Sequence, residues 1–184
     1  MSQLLTLVVN RQTDIALPFL KLTKGEVVKS LGAAALHQVA TSSISCAHFP
    51  VRIEKHGTWK SCGLCPACVF RRVAMYASGI PEGGEVFQHD FLDASVNQLS
   101  AKKLRYLTAY LIQVDSLSEL DEGKLPFLIA RELQRCEVFQ SDLESRSFAE
   151  LFRRYRSEWN DLLHHARKNG CNWAHRINLP GQSA

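Results

Sequence analysis

SCAHFPVRIEKHGTWKSCGLCPACVFRRVAMYASG, residues Ser45 to Gly79, is the stretch from which the rest of the chain is read. Four of the six cysteines lie in it, Cys46 alone and then Cys62, Cys65 and Cys68 in a C-x2-C-x2-C run. A C-x2-C pair sets two sulfurs on one tight backbone turn. A third cysteine on the next turn and a fourth from a separate segment complete a tetrahedral shell of thiolates, the arrangement Zn²⁺ takes in structural sites. Gly63 and Pro66 suit such a knuckle, whose backbone bends sharply and points its amides back at the sulfurs. The pattern predicts one structural Zn²⁺ held by Cys46, Cys62, Cys65 and Cys68. That closed shell leaves no position for water, so the ion is expected to hold shape and perform no chemistry. An iron–sulfur cluster is the alternative metal group, because three close cysteines and a remote one also hold iron. Disulfides or buried thiols are the alternatives without metal. Disulfides need an oxidising compartment, and the opening MSQLLTLVVNRQTD lacks the pattern of a signal peptide, so the expected location is the cytoplasm.

Upstream of the knuckle, Thr23-Lys24-Gly25-Glu26 fits a capping box, in which the threonine oxygen accepts from the amide three residues on and the glutamate reaches back. A helix is expected to begin there, with Val27, Val28, Leu31, Ala34, Ala35 and Val39 on its apolar face. Lys24, at the first helical position, sits where amides and helix dipole favour an anion; the alternative is a solvated lysine in a cap turn. Before it, Leu4 to Val9 and Ile15 to Leu22 are apolar, and Pro18 interrupts the second piece. A segment of this character is made to pack on something. A polar connector, residues 41–45, delivers Cys46. His48 and His56 lie between Cys46 and Cys62 and read as loop residues, since four cysteines already fill the shell.

Downstream, Val69, Val73, Ala74 and Ala77 recur at helical spacing, and Gly79 and Pro81 mark the end. Arg71 and Arg72 follow the knuckle directly; they are candidates for a phosphate or carboxylate ligand, against the ordinary reading of solvated arginines. Residues 81–98, rich in glycine and acid, read as a linker. Beyond them Leu99, Leu104, Leu107, Tyr110, Leu111 and Val114 outline one amphipathic helix, and Leu125, Leu128, Ile129, Leu133 and Cys136 a second. Ser147 and Glu150 fit another capping box, opening a third helix with Phe148, Leu151, Phe152, Tyr155, Trp159, Leu162 and Leu163 on one face. Arg153, Arg154, Arg156, Arg167 and Lys168 make that helix basic, though its aromatics fall on the apolar stripe. His164, His165, Cys171 and His175 offer a weaker second metal set without a tight cysteine turn. The expected division is 1–80, a linker 81–98, and a helical region 99–184.

With 184 residues, 46% hydrophobic and 22% charged, the chain has the composition of a globular protein. Its formal charge of +4 is too small a bias to imply nucleic acid on its own. No apolar run reaches the length needed to cross a bilayer.

The run LTKGEVV at 22–28, SC at 45–46 and CGLCPACVFRRVAMYASG at 62–79 together resemble the C-terminal half of the 7-cyano-7-deazaguanine synthase family, PP-loop ATP pyrophosphatases of queuosine-precursor synthesis. The resemblance covers about residues 18–80. It implies zinc on Cys46, Cys62, Cys65 and Cys68, and a lysine near nucleotide phosphates at Lys24. Family members also carry a nucleotide-binding half with an SGGxDS loop, and this chain has no such loop; its Gly83-Gly84 lies in the acidic linker. A phosphate cradle needs successive free amides on a glycine-rich turn that leads into a helix.

The fold class expected is therefore mainly α: a capped helix and a four-cysteine zinc knuckle followed by a helical region, without the PP-loop α/β half. The function implied is the zinc-binding half of a synthase-like ATP-dependent ligase, acting with a PP-loop partner or as a diverged member of an anti-phage defence system. ATP enters only if a partner completes the site, with Lys24, Arg71 and Arg72 as contacts. Expected partners are that PP-loop protein or a second copy of the chain; nucleic acid and membrane are not expected. The alternatives are a non-enzymatic zinc module that binds protein, and a tRNA-binding module using the basic last helix.

Overall fold

A computed structural model describes residues 16–32, 35, 38, 43–47, 60–80, 82, 86–118, 123–135 and 142–176. The capping box at Thr23 forms in full. Thr23 Oγ1 accepts from the Glu26 amide at 3.0 Å, and the Thr23 amide donates to Glu26 Oε2 at 2.8 Å. It opens α1, Lys24–Ser30. This helix differs from its expected face: Val27 and Val28 are half-buried, Leu31 is exposed, and the buried residue is Gly25. A Cβ at Gly25 would stand 2.9 Å from Ala77 Cβ and 2.5 Å from Glu158 Oε1, so the missing side chain sets how closely α1 approaches its neighbours. Ala34 and Val39 lie outside the described residues.

The helix after the knuckle is α2, Pro66–Ala77, with Cys65 as its N-cap and Pro66 at its first position, where the absent N–H has no partner to lose. It stops at Gly79, whose φ of 77° is left-handed. There the Gly79 amide donates to Tyr76 O at 3.0 Å and the Ile80 amide to Met75 O at 2.9 Å, the paired bonds that satisfy a helix's last carbonyls. Three longer elements follow: α3, Ala101–Ser118; α4, Leu125–Arg135; and α5, Asp142–Lys168. Two 3₁₀ turns, Ala94–Gln98 and Asn172–Arg176, flank them in sequence. The fold is thus mainly α-helical; extended pairing among the described residues is one parallel bridge, Ser61 to Phe87.

The longest helix, α5, is the post against which α2, α3 and α4 pack. It begins at Asp142, so Ser147 and Glu150 lie inside it and form no cap; Glu150 instead ion-pairs with Arg153 one turn on. Its expected stripe is realised most deeply at Trp159, Leu162 and Leu163, all fully buried. Val69 and Val73 of α2, and Leu107, Leu111 and Val114 of α3, close on them. Tyr110 stacks near Trp159 with centroids 6.5 Å apart, and Tyr155 meets the same ring edge-on at 6.4 Å, so these aromatics are core. The stripe of α4 is only half-buried apart from Leu125, and Phe127 faces solvent. Cys136 lies outside the described residues, as does everything before residue 16 and after 176.

The expected three-part division does not match the packing. Phe91, Leu92 and Val96, from the stretch read as a linker, are buried in the same cluster as Trp159 and Val69. Polar bonds tie that stretch to the end of α5. Trp173 Nε1 donates to Phe91 O at 2.7 Å, Asn169 Nδ2 to Leu92 O at 3.1 Å, and Asn97 Nδ2 to Gly170 O at 2.9 Å. A segment rich in glycine and acid is ordered here because its few large apolar side chains are each buried, and that burial offsets the entropy of fixing the backbone.

Candidate metal centre

The knuckle begins where the backbone turns at Gly63, whose φ is 82°. Two constraints meet at that residue. The left-handed conformation disfavours a side chain, and a Cβ would fall 1.8 Å from the His89 carbonyl oxygen. The turn brings Cys62 and Cys65 together, and the first turn of α2 adds Cys68. The fourth sulfur, Cys46, arrives from the described segment 43–47. These four sulfurs all lie within 4.8 Å of one another, and they are the one such group among the described residues.

The separations limit what the group can hold. Cys62 Sγ and Cys68 Sγ are 3.9 Å apart, far beyond a disulfide bond, and none of the four cysteines forms one. A Zn–S bond of about 2.3 Å in a tetrahedron implies sulfur–sulfur edges of about 3.8 Å. The cage thus fits a single tetrahedral ion. A multi-iron cluster spreads its thiolates over separate irons and needs a wider cage, so that alternative does not suit this geometry.

Backbone amides point at the sulfurs as the knuckle reading requires. Cys62 N donates to Cys46 Sγ, Cys65 N to Cys62 Sγ, and Ala47 N to Cys65 Sγ, each at 3.4 Å. Such bonds stabilise thiolates, the form that binds metal. In this arrangement the hydrogen bond from Cys68 pulls the Cys62 thiol well below its ordinary value, and the same bond, with burial, pushes Cys68 up. An ion bound there takes the sulfurs as thiolates and releases their protons. Cys65 and Cys68 are fully buried and Cys46 nearly so; all four ligand positions being filled by sulfur, the centre is closed in the manner of a structural site.

The knuckle is clipped to the rest of the fold on one side by its bridge. Ser61 N donates to Val86 O at 3.0 Å and Gln88 N donates to Ser61 O at 2.8 Å, while Phe87 packs against Cys65 and Cys68. Arg71 and Arg72 complete the frame. Both are buried. Arg71 donates from Nε and Nη2 to Glu82 Oε1 at 3.0 and 2.6 Å, and from Nη1 to Ser43 O and Oγ, each at 2.8 Å. Arg72 makes a two-point pair with Asp90, Nε to Oδ1 at 3.2 Å and Nη2 to Oδ2 at 2.9 Å, and lies over the Phe87 ring at 5.9 Å. The candidates for a phosphate contact are thus engaged with carboxylates of the chain itself. Arg71 holds the segment that delivers Cys46, and Arg72 the one that carries Phe87. Both partners lie in the stretch 81–98 that the sequence presents as a linker; two arginines after the knuckle and an acidic stretch beyond it are the signal that they pair.

Lys24, by contrast, is exposed on the first turn of α1. The capping box beside it docks on α5, where the Thr23 hydroxyl donates to the Glu158 carboxylate and Glu26 Oε1 lies 2.7 Å from Arg154 Nε. The weaker second metal set, His164, His165, Cys171 and His175, does not assemble among the described residues. His164 and His175 are exposed, and Cys171 is buried just past α5 with its amide on Ala166 O at 3.0 Å. His48 and His56 lie outside the described residues. The basic face of α5 is partly neutralised by Arg153–Glu150 and Arg154–Glu26. No described helix is long and apolar enough to cross a membrane.

These features define a mainly α-helical protein built on a four-cysteine metal knuckle. Comparison with protein-family models, curated proteins and solved structures finds no match for this chain.

Proposed function

We propose that the chain is the zinc-organised half of a synthase-like, ATP-dependent ligase and acts with a partner that carries the PP-loop nucleotide-binding half. The ion is Zn²⁺, structural in role, and ATP belongs to the partner's share of the site. The observation that carries this reading is where large apolar side chains stay in water. Leu17, Phe19, Leu20, Leu22, Leu31 and Ile44 are all exposed, and they cluster in sequence around α1 and the approach to Cys46. Lys21, Lys24 and Lys29 are interspersed among them. An apolar strip of this kind marks a protein-binding surface. It adjoins the LTKGEVV run of the resemblance, and in this reading the apolar N-terminal segment is the former contact between the two halves. Lys24 remains accessible there to a phosphate held by the partner.

The test is reconstitution of the full chain with a protein bearing SGGxDS. The expected result is a stable complex that converts ATP to AMP and pyrophosphate, with neither protein doing so alone. Complex formation without turnover would support the second reading instead, a zinc scaffold with no enzymatic role. The engagement of Arg71 with Glu82 and Ser43 favours that second reading, since it withdraws one of the residues expected at a shared site. Absence of any complex would remove the ligase reading.

A further inference from the structure

A cleft of about 540 Å³ opens between the knuckle and the start of α3. Its walls include Lys102, Lys103, Arg105, Tyr106, His89 and Leu64, and no carboxylate lines it among the described residues. Its size falls within the range of small-ligand sites. We propose that this cleft binds a nucleoside phosphate, supplied as a free nucleotide or as part of a single-stranded RNA. This goes beyond the synthase-like reading and does not depend on it, because the cationic wall of the cleft, Lys102, Lys103 and Arg105, lies outside the region the resemblance covers.

Three observations converge on that ligand. The first is charge: three cationic side chains meet at one opening with no acid among them. The second is their position. Lys102 and Lys103 occupy the first turn of α3, which contains no acidic residue. Cations at the positive end of an 18-residue helix dipole repel it, so the chain has placed them against local preference. An anion bound in the cleft reverses that penalty by meeting the ammonium groups at the positive end of the helix. The third is an aromatic platform. The Arg105 guanidinium lies 4.7 Å over the Tyr106 ring, with Nη2 donating to Tyr106 Oη at 3.0 Å, and Leu64 adds an apolar wall. Guanidinium planes and aromatic rings are the surfaces on which bases stack. A competing role for the cations is to balance the thiolates, because Cys62 and Cys65 also border the cleft. A divalent ion in four thiolates carries a formal charge of about −2, which three cations exceed. The sulfurs are moreover already met by backbone amides.

The experiment is calorimetric titration of the zinc-loaded full chain with AMP, inorganic phosphate and a short single-stranded oligoribonucleotide at low salt. Lys102 and Lys103 are exposed, so Lys102→Glu/Lys103→Glu leaves the fold intact, and Arg131→Ala serves as a control on a remote exposed arginine. The expected result is binding of AMP or RNA more tightly than phosphate. It weakens roughly three- to tenfold per reversed charge and is unchanged in the control. A free-nucleotide site shows AMP saturating at one per chain. An RNA site shows the oligonucleotide binding with affinity that falls steeply as salt rises. The proposal is overturned if neither AMP nor RNA binds, or if the reversed variant binds as tightly as wild type. It is also overturned if that variant sheds zinc without any change in ligand affinity, which would assign the lysines to the thiolates.

Discussion

Arg71 is the residue through which the metal site is joined to the body of the fold. Its three donor nitrogens bridge Ser43, three residues before a ligand, to Glu82, and both ends of the pair are buried. Removing the guanidinium leaves a buried carboxylate unpaired, which costs about 3–5 kcal/mol. Partners that orient metal ligands also typically account for about 10–100-fold in metal affinity. Arg71→Gln is therefore expected to lose stability to denaturant and to yield zinc to a chelator at far lower concentration, while Lys24→Ala changes neither. Unaltered chelator competition in Arg71→Gln would mean that Cys46 is positioned by something else. Glu158 behaves differently, because burial raises its carboxyl above the ordinary 4.5 even though Thr23 donates to it. A carboxyl raised in the folded state adds stability when protonated and loses it as pH climbs from the ordinary value through the raised one. Glu158→Gln keeps an oxygen to accept from Thr23, so it should be more stable than wild type at pH 7, with the advantage shrinking toward pH 4. Melting curves at the two pH values check this; a gap that does not change with pH contradicts it.

Among the elements, α2 stands between two clusters: Cys68 belongs to the metal cage, and Val69 and Val73 to the main core. Removal of the ion should therefore not unfold the molecule uniformly. Because metal affinity in a knuckle is also folding free energy, a chelator is expected to abolish amide protection at 60–65 and 86–88 while α5 stays protected. Equal loss everywhere, read by hydrogen exchange, would show that metal and core form one cooperative unit. Two glycines give a sharper comparison. Gly79 and Gly63 share a left-handed backbone, but a Cβ at Gly79 meets open space and one at Gly63 meets the His89 carbonyl. Gly79→Ala should cost about 1–2 kcal/mol from conformation alone; Gly63→Ala should in addition release the metal, measured as zinc per chain. Much at this scale was legible beforehand. The capping box and α2 are short-range patterns in which each residue interacts with one three or four positions away. The start of α5 was not legible, since Ser147 and Glu150 satisfy the capping pattern equally well inside a helix, where Glu150 finds Arg153.

Among the described residues the main core draws on segments from Leu64 to Ala174, with the smaller cluster around the cysteines beside it, while Leu17, Phe19, Leu20, Leu22 and Leu31 stay exposed around α1. Phe19→Asp combined with Leu20→Asp alters only side chains that already face water. Stability should stay within about 0.5 kcal/mol, and complex formation with a PP-loop partner should be lost. Retention of the complex would place the contact elsewhere. The amino-acid sequence by itself determined the identity of the four thiolates, the helical class, the capping of α1 and the apolar faces of α3 and α5, because each depends on spacing along a local backbone. Only the tertiary structure decided that Arg71 and Arg72 pair inward, that Phe87, Phe91, Leu92 and Val96 are buried, and that Lys102, Lys103 and Arg105 share a cleft with the metal knuckle. Those arrangements join groups far apart in the chain, and no periodicity encodes them. They follow from which surfaces must be buried together, and a buried charge is tolerated only where an opposite one is brought to meet it.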